Sequence, residues 1–576
     1  MHQCLTIDEI LTNIFQHAII VLKPEPKSRE FRDRRTLVRL ARTCRYFLEP
    51  ALNVLYYEIS DLLWLIKCMP DDLWEVNGKE LSFKRLMTES DWEIFLRYAR
   101  RVRHLEFDRR CLNTTHVSVY HALARPPSSA GVLFPKLLHL RCGEPRYDAV
   151  PFLLHLLQPT VTRIDIDNLM PNALTSHVLP LIPERCPRVK HLMAFRNFVF
   201  QRGDECLVRF SNMLRHFKEL ESVRCAELTD EGMSHLSRLP SFRTLRVDLR
   251  LNCLHQLEHT MLDTRFPALR EASLSAPSLS HCLQFLKLVD STRLDTINFN
   301  VDDESDAATY KEIFTSWGSN PSYQNMSCIE IAEMRVWRDY DEKHVIDIAT
   351  LRPLFHFRRL TCLRLETLCT YTLDDAALRE MADAWPLLET LDLSSRECGW
   401  EIPSRITLMG LIPLLCGCPN LDLLGVVVDA TVLPPPSFRL PGAGVRNTSL
   451  ESLWLADSKV TRPHLVAAFL SAVAPNVDQI VAWNTPLLSG REGRDKYRRR
   501  WREVEKLVRV FSIARRQERE WVGRKRGDKG CAEDDEDGDG EEEAKAWSSE
   551  PDLGSDSESD DDRDYYFCDT SPSVVP

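Results

Sequence analysis

Residues 385–393 read WPLLETLDL, and the spacing within them decides the fold. Leu388, Leu391 and Leu393 fall as apolar, two variable, apolar, one variable, apolar. In an extended chain successive side chains point to opposite faces, so Leu391 and Leu393 face one way and Asp392 the other. The phrase recurs as FPKLLHLRC at 134–142, CPRVKHLMA at 186–194, FPALREASL at 266–274, FRRLTCLRL at 357–365 and APNVDQIVA at 474–482. Taking its middle apolar residue as a marker gives Leu140, Ile164, Leu192, Val223, Leu245, Ala272, Ile297, Leu363, Leu391, Leu424, Leu453 and Ile480. A weaker copy stands at Ile329, and Leu105 begins the series. Intervals of roughly 22 to 34 residues, with a mean near 28, match a strand-plus-helix repeat.

Between the strands lie helical phrases such as TDEGMSHLSRLP at 229–240 and LDDAALREMADAWP at 373–386. Thr229 and Asp374 are placed to begin these helices, and a proline closes each. Such units bury their apolar faces only against one another, so they stack into a curved array with a parallel sheet inside and helices outside. The residue after each marker then lines the concave side: Arg141, Asp165, Met193, Arg224, Arg246, Ser273, Asn298, Arg364, Asp392, Gly425, Trp454 and Val481. The middle of that row is polar and rich in arginine. Toward its end, Leu423, Val427, Trp454 and Trp483 make an apolar patch of the kind that anchors partners, unless the following helix covers it. The candidate substrate contacts are Arg224, Arg246, Arg364, Leu423, Trp454 and Trp483.

Ahead of the array stand CLTIDEILTNIFQHAII, residues 4–20, and TLVRLARTCRYFLEPALNVLYYEI, residues 36–59. Ile7, Ile10, Leu11, Ile14, Phe15 and Ala18 form one apolar helical stripe, with Thr6 and Glu9 at capping-box spacing. A second helix capped by Thr36 turns Leu37, Leu40, Ala41 and Cys44 inward. A third carries Phe47, Leu52 and Leu55, with Pro50 inside it or at a break. About 55 residues without disulfides make a marginal core that a partner or a following domain usually completes. That favours a docking module over an enzyme.

These residues resemble the F-box. Its pattern is met by Leu5, Ile10, Ile14, Phe15, Leu37, Leu40, Thr43, Cys44, Phe47, Leu55 and Tyr56. The chain departs where a proline is common near Leu5 and where Tyr56 replaces a frequent Trp, and its charged insert Lys23–Arg35 is long. The following SDWEIFLRYARRVRHL, residues 90–105, is similar to the segment after the F-box in basidiomycete proteins. The repeats resemble the degenerate leucine-rich repeats of F-box proteins, without the usual Asn that sets the turns. The resemblance implies docking on a Skp-type adaptor and, through it, a cullin-RING ubiquitin ligase, with the repeats holding an unknown protein substrate and catalysis left to other subunits. The implied adaptor contacts are Leu5, Ile7, Ile10, Ile14, Leu37, Leu40, Phe47 and Leu55, mixed with residues that only hold the helices together. The alternative is a repeat scaffold acting outside a ligase.

The expected organisation is therefore α/β. A three-helix F-box spans 1–59 and a helical connector 60–102, with Ser90 and Glu93 capping its helix. A leucine-rich-repeat-like solenoid follows at 103–484, then a basic amphipathic capping helix at 485–523 and an acidic disordered tail at 524–576. The capping helix presents Trp501, Val504, Leu507, Val508 and Phe511 at helical spacing. In the tail too few apolar residues offset the entropy of folding, and Ser555, Ser557 and Ser559 sit among acids as kinase targets.

The formal net charge of -11 is concentrated in that tail. No basic segment leads a long apolar run, which points to the cytoplasm and/or nucleus and away from a membrane. The run at Arg498, Arg499 and Arg500 could meet nucleic acid, but a solvated helix face offset by the acidic tail is the better reading. Phosphate-loop, nucleophile-elbow and His-Glu-x-x-His patterns are lacking, so no catalytic residue is expected. Of 18 cysteines only Cys416 and Cys418 are close, one residue short of common zinc spacing and without a second pair. No metal or cofactor is expected.

Overall fold

The computed structural model describes residues 7–20, 34–107, 114–143, 149–168, 173–195, 198–201, 203–250, 265–334, 341–393, 399–433, 444–484 and 493–528. Leu5, Thr6, most of the Lys23–Arg35 insert and the acidic tail beyond 528 lie outside them. Among the described residues one sheet of 15 strands runs through the chain in sequence order, every neighbouring pair parallel, with helices in the connections. This is a mixed α/β fold, a curved repeat solenoid. The markers lie in one unbroken register, from Ile59 opposite Leu105 and Leu105 opposite Leu140 to Leu453 opposite Ile480. Ile329 occupies the gap, paired with both Ile297 and Leu363. The array begins one strand earlier than Leu105, at Glu58–Ile59.

What replaces the missing Asn ladder is backbone. Leu138 and His139 both donate their N–H groups to the Arg103 carbonyl, at 2.8 and 3.0 Å. Glu389 and Thr390 do the same to Thr361, at 2.8 and 2.9 Å. The paired bond recurs at every strand junction from Tyr57 to Asp478. Polar backbone groups at each strand entry are thereby satisfied without a dedicated side chain, which frees that position for variable residues. Thr229 and Asp374 cap their helices, accepting from the N–H groups of Gly232 and Ala377.

The amino-terminal unit consists of α1 (Asp8–Ile20), α2 (Arg34–Ala41) and α3 (Arg45–Leu55). It has its own small core of Leu11, Phe15, Leu37, Ala51 and Val54, against which Leu40, Ala41, Phe47 and Leu55 pack. Phe15 and Phe47 meet edge to face at 5.4 Å. Thr36 lies inside α2 rather than at its cap, because the helix begins two residues earlier. Pro50 sits within α3, buried. The unit is tied to the array by Arg101, which reaches Glu49 at 2.7 Å and Asn53 at 2.5 Å, and by the Tyr56 and Tyr98 rings, 4.9 Å apart.

The connector is not purely helical. Trp74–Asn77 and Glu80–Phe83 form an antiparallel hairpin. Gly78, at φ 66°, takes the first turn position, where glycine suits a tight two-residue turn. The following helix, Glu89–Ala99, is capped by Thr88 and Asp91, not Ser90 and Glu93. Asp91 wins because its carboxylate, fully buried, also takes a 2.5 Å ion pair from Arg85. At the other end the helix Arg494–Asp528 lies on the last repeat, burying Trp501, Val504 and Val508. No described helix is long and apolar enough to cross a membrane.

Candidate binding face of the repeat array

The row after the markers forms one continuous line across the sheet, with Glu106 and Glu330 filling positions that the sequence pattern did not assign. Charges alternate in two stretches of it. Arg141 lies 3.3 Å from both Glu106 and Asp165. Further on, Arg364 lies 3.6 Å from both Glu330 and Asp392. Arg364 is thus held by carboxylates and is less available to a partner than an arginine in solvent. Its guanidinium also faces the Trp454 ring, 5.8 Å from the centroid. Gly425 makes that approach possible, since a Cβ there would stand 2.2 Å from an Asp392 carboxylate oxygen.

The apolar patch is smaller than the sequence implied. Trp454 and Leu423 remain half-buried on the concave face, but Val427 is buried and Trp483 is only 2% exposed. Trp483 is stacked on Tyr497, centroid to centroid 5.2 Å, and its indole N–H donates to the Ser458 carbonyl at 2.7 Å. Trp501 of the terminal helix donates to the same carbonyl at 2.8 Å. Trp483 is therefore a core residue under the terminal helix. Arg246 is exposed and Arg224 half-buried, the latter 3.9 Å from Glu271.

Arg224 does border a cavity of about 330 Å³ on this face, together with Arg163, His191, Glu221, Ser222, Arg243 and Thr244. Arg163 and Arg243 are exposed, and neither is in an ion pair among the described residues. Burial and the charge of Arg163 hold His191 below the usual imidazole range. Burial, then Arg163, pushes the neighbouring His139 down to about 4. Lys190, hydrogen-bonded to Glu221 at 3.0 Å, keeps that carboxyl ionised. The cavity therefore presents three guanidiniums, the His191 imidazole and two hydroxyls around the single Glu221 carboxylate, a lining in which donors predominate and which suits carboxylate or phosphate groups. Arg163 went unnoticed in the sequence because it holds a second concave position directly before its marker, and Arg243 because it lies just ahead of the strand Thr244–Asp248.

No family model and no curated protein matches this sequence. Among solved structures, the chain is similar to one in the crystal structure of the Rad7 and Elc1 complex in yeast. The identity is 14% and the TM-score 0.32, with 84% of this chain and 91% of that chain covered.

In the three-helix unit the expected adaptor contacts divide in two. Ile7, Ile10 and Ile14 project from α1, exposed by 44%, 36% and 45%. Val38, Tyr46 and Leu48 are exposed on α2 and α3. Leu37, by contrast, is 1% exposed, and Leu40, Phe47 and Leu55 pack on the unit's own core. The apolar stripe on α1 is wide enough to serve both sides, because positions 7, 10 and 14 lie on one edge and 11 and 15 on the other.

Proposed function

We propose that this chain is the substrate-recognition subunit of a Skp-cullin-RING ubiquitin ligase, docking its adaptor through α1 and holding a protein substrate on the concave face. The observation that carries the reading is the exposed isoleucine stripe. Leu11 and Phe15 complete the small internal core, so Ile7, Ile10 and Ile14 stay exposed and outside that core among the described residues. Three large apolar side chains in one row make a surface that a helical partner can cover. The F-box resemblance names that partner as a Skp-type adaptor. The cavity bordered by Arg163, Arg224 and Arg243 supports an acidic substrate segment as the preferred occupant of the concave face. The role is one of binding, with ubiquitin transfer carried out by other subunits.

Ile10→Asp with Ile14→Asp tests the reading without touching the internal core. Full-length wild-type chain expressed in cells should co-purify an adaptor and a cullin, and the double variant should lose both while its far-UV circular dichroism stays unchanged. Equal recovery by wild type and variant would overturn docking through α1, and recovery of neither protein with wild type would leave the array as a scaffold outside a ligase.

A further inference from the structure

Two cysteines and a glutamate meet on the concave face, far from the arginine-lined cavity. The strands Cys328–Glu333 and Cys362–Glu366 are parallel neighbours, with Cys328 opposite Cys362 and Glu330 opposite Arg364. Residues two apart in a strand share a face, so Cys328, Glu330 and Cys362 all emerge on the same side. One ligand atom from each lies within 4.8 Å of the other two, and all three side chains are half-buried. Cys362 Sγ stands 3.7 Å from Glu330 Oε1. Tetrahedral zinc, with Zn–S of about 2.3 Å and Zn–O of about 2.1 Å, needs sulfur and oxygen ligands roughly 3.6 Å apart and two sulfurs roughly 3.8 Å apart.

We propose that Cys328, Cys362 and Glu330 bind a thiophilic divalent cation such as Zn²⁺, bridging two adjacent repeats and leaving its fourth position open to the concave face. The surroundings are arranged for this. Asn298, one strand away, donates to Glu330 Oε2 at 2.6 Å, which fixes the carboxylate with Oε1 turned toward Cys362. Ligands oriented from behind in this way are the usual support of a metal site. Arg364 lies 3.6 Å from Glu330 Oε1. Two thiolates, a carboxylate and a dication sum to one negative charge, which the Arg364 guanidinium offsets. Thiolate ligands select zinc over magnesium or calcium, and the two strands hold all three ligand-bearing positions in fixed register. An open position beside Arg364 gives the array a place to coordinate a side chain of whatever it holds.

The same cysteines, directly opposed on neighbouring strands about 4.8 Å apart, are also within reach of a disulfide. Glu330 distinguishes the two, because it has no part in a disulfide. The test is zinc titration of the full-length protein, reduced and stripped with chelator, against a chromogenic competitor, with cobalt substituted in parallel. Wild type should bind one more equivalent of zinc than the Cys328→Ser/Cys362→Ser variant, and cobalt should give a thiolate charge-transfer band that this variant lacks. The isosteric Glu330→Gln should weaken binding by about tenfold or more, and Asn298→Ala by about tenfold. Equal zinc stoichiometry in wild type and the double variant, unchanged affinity in Glu330→Gln, or a Cys328–Cys362 disulfide that forms without metal would each overturn the proposal.

Discussion

Glu227 shows how a single residue can set a response of the array. Its carboxyl is buried just past the strand Ser222–Cys225, with Asp248 nearby. Burial, reinforced by that second carboxylate, pushes it up to about 7 from an ordinary value of 4.5. A raised value means the folded chain holds the proton more tightly than the unfolded one. The associated stability is fully present below the ordinary value and is lost as pH rises through about 7. Wild type should therefore show a larger fall in thermal midpoint between pH 6 and pH 8 than Glu227→Gln. Asp91 has the opposite sign. The Arg85 side chain holds its carboxyl down at about 2, so its contribution is present above the ordinary carboxylate range and is lost only as pH falls through that value. Spacing rules found the right helix but the wrong cap, since Ser90 and Glu93 satisfy the same pattern. A buried ion pair from outside the motif decided between them.

At the scale of elements, periodicity was readable wherever the apolar residues serve one purpose. Every marker strand fell into register because each buries alternate residues against the same core. The hairpin at 74–83 was missed although Asn77-Gly78 between Val76 and Leu81 is a turn signal, because the strands it joins are short and half-exposed. On α1 the stripe was visible, but not its division into an inward edge at Leu11 and Phe15 and an outward edge at Ile7, Ile10 and Ile14. That split depends on where α2 and α3 lie. The concave patch failed for a similar reason: Trp483 has the spacing of a surface residue, and only the returning helix buries it. That helix carries a prediction of its own. Trp501→Ala removes a large buried ring and its bond to Ser458, a loss of about 3–5 kcal/mol. Hydrogen exchange should then accelerate in 452–482 and 494–511, with the strands near Leu245 unchanged, because an array couples only neighbouring units.

At the scale of the whole molecule, the chain is one long sheet with a small, separately cored unit at its start. A single hydrophobic cluster runs from Ile59 to Val508, and the three-helix core stands apart from it. The parallel direction of the array was legible because the phrase repeats, whereas its first strand, Glu58–Ile59, was not. The Cys328, Glu330 and Cys362 cluster was not, because its members come from units 32 to 34 residues apart and only strand register brings them together. The account rests most on α1 being a docking surface, and hydrogen exchange of the full-length chain with and without a purified Skp-type adaptor tests it directly. Protection confined to residues 7–20 and 34–55, absent in the Ile10→Asp/Ile14→Asp variant, is the expected result. No protection, or protection on the concave strands instead, would contradict it.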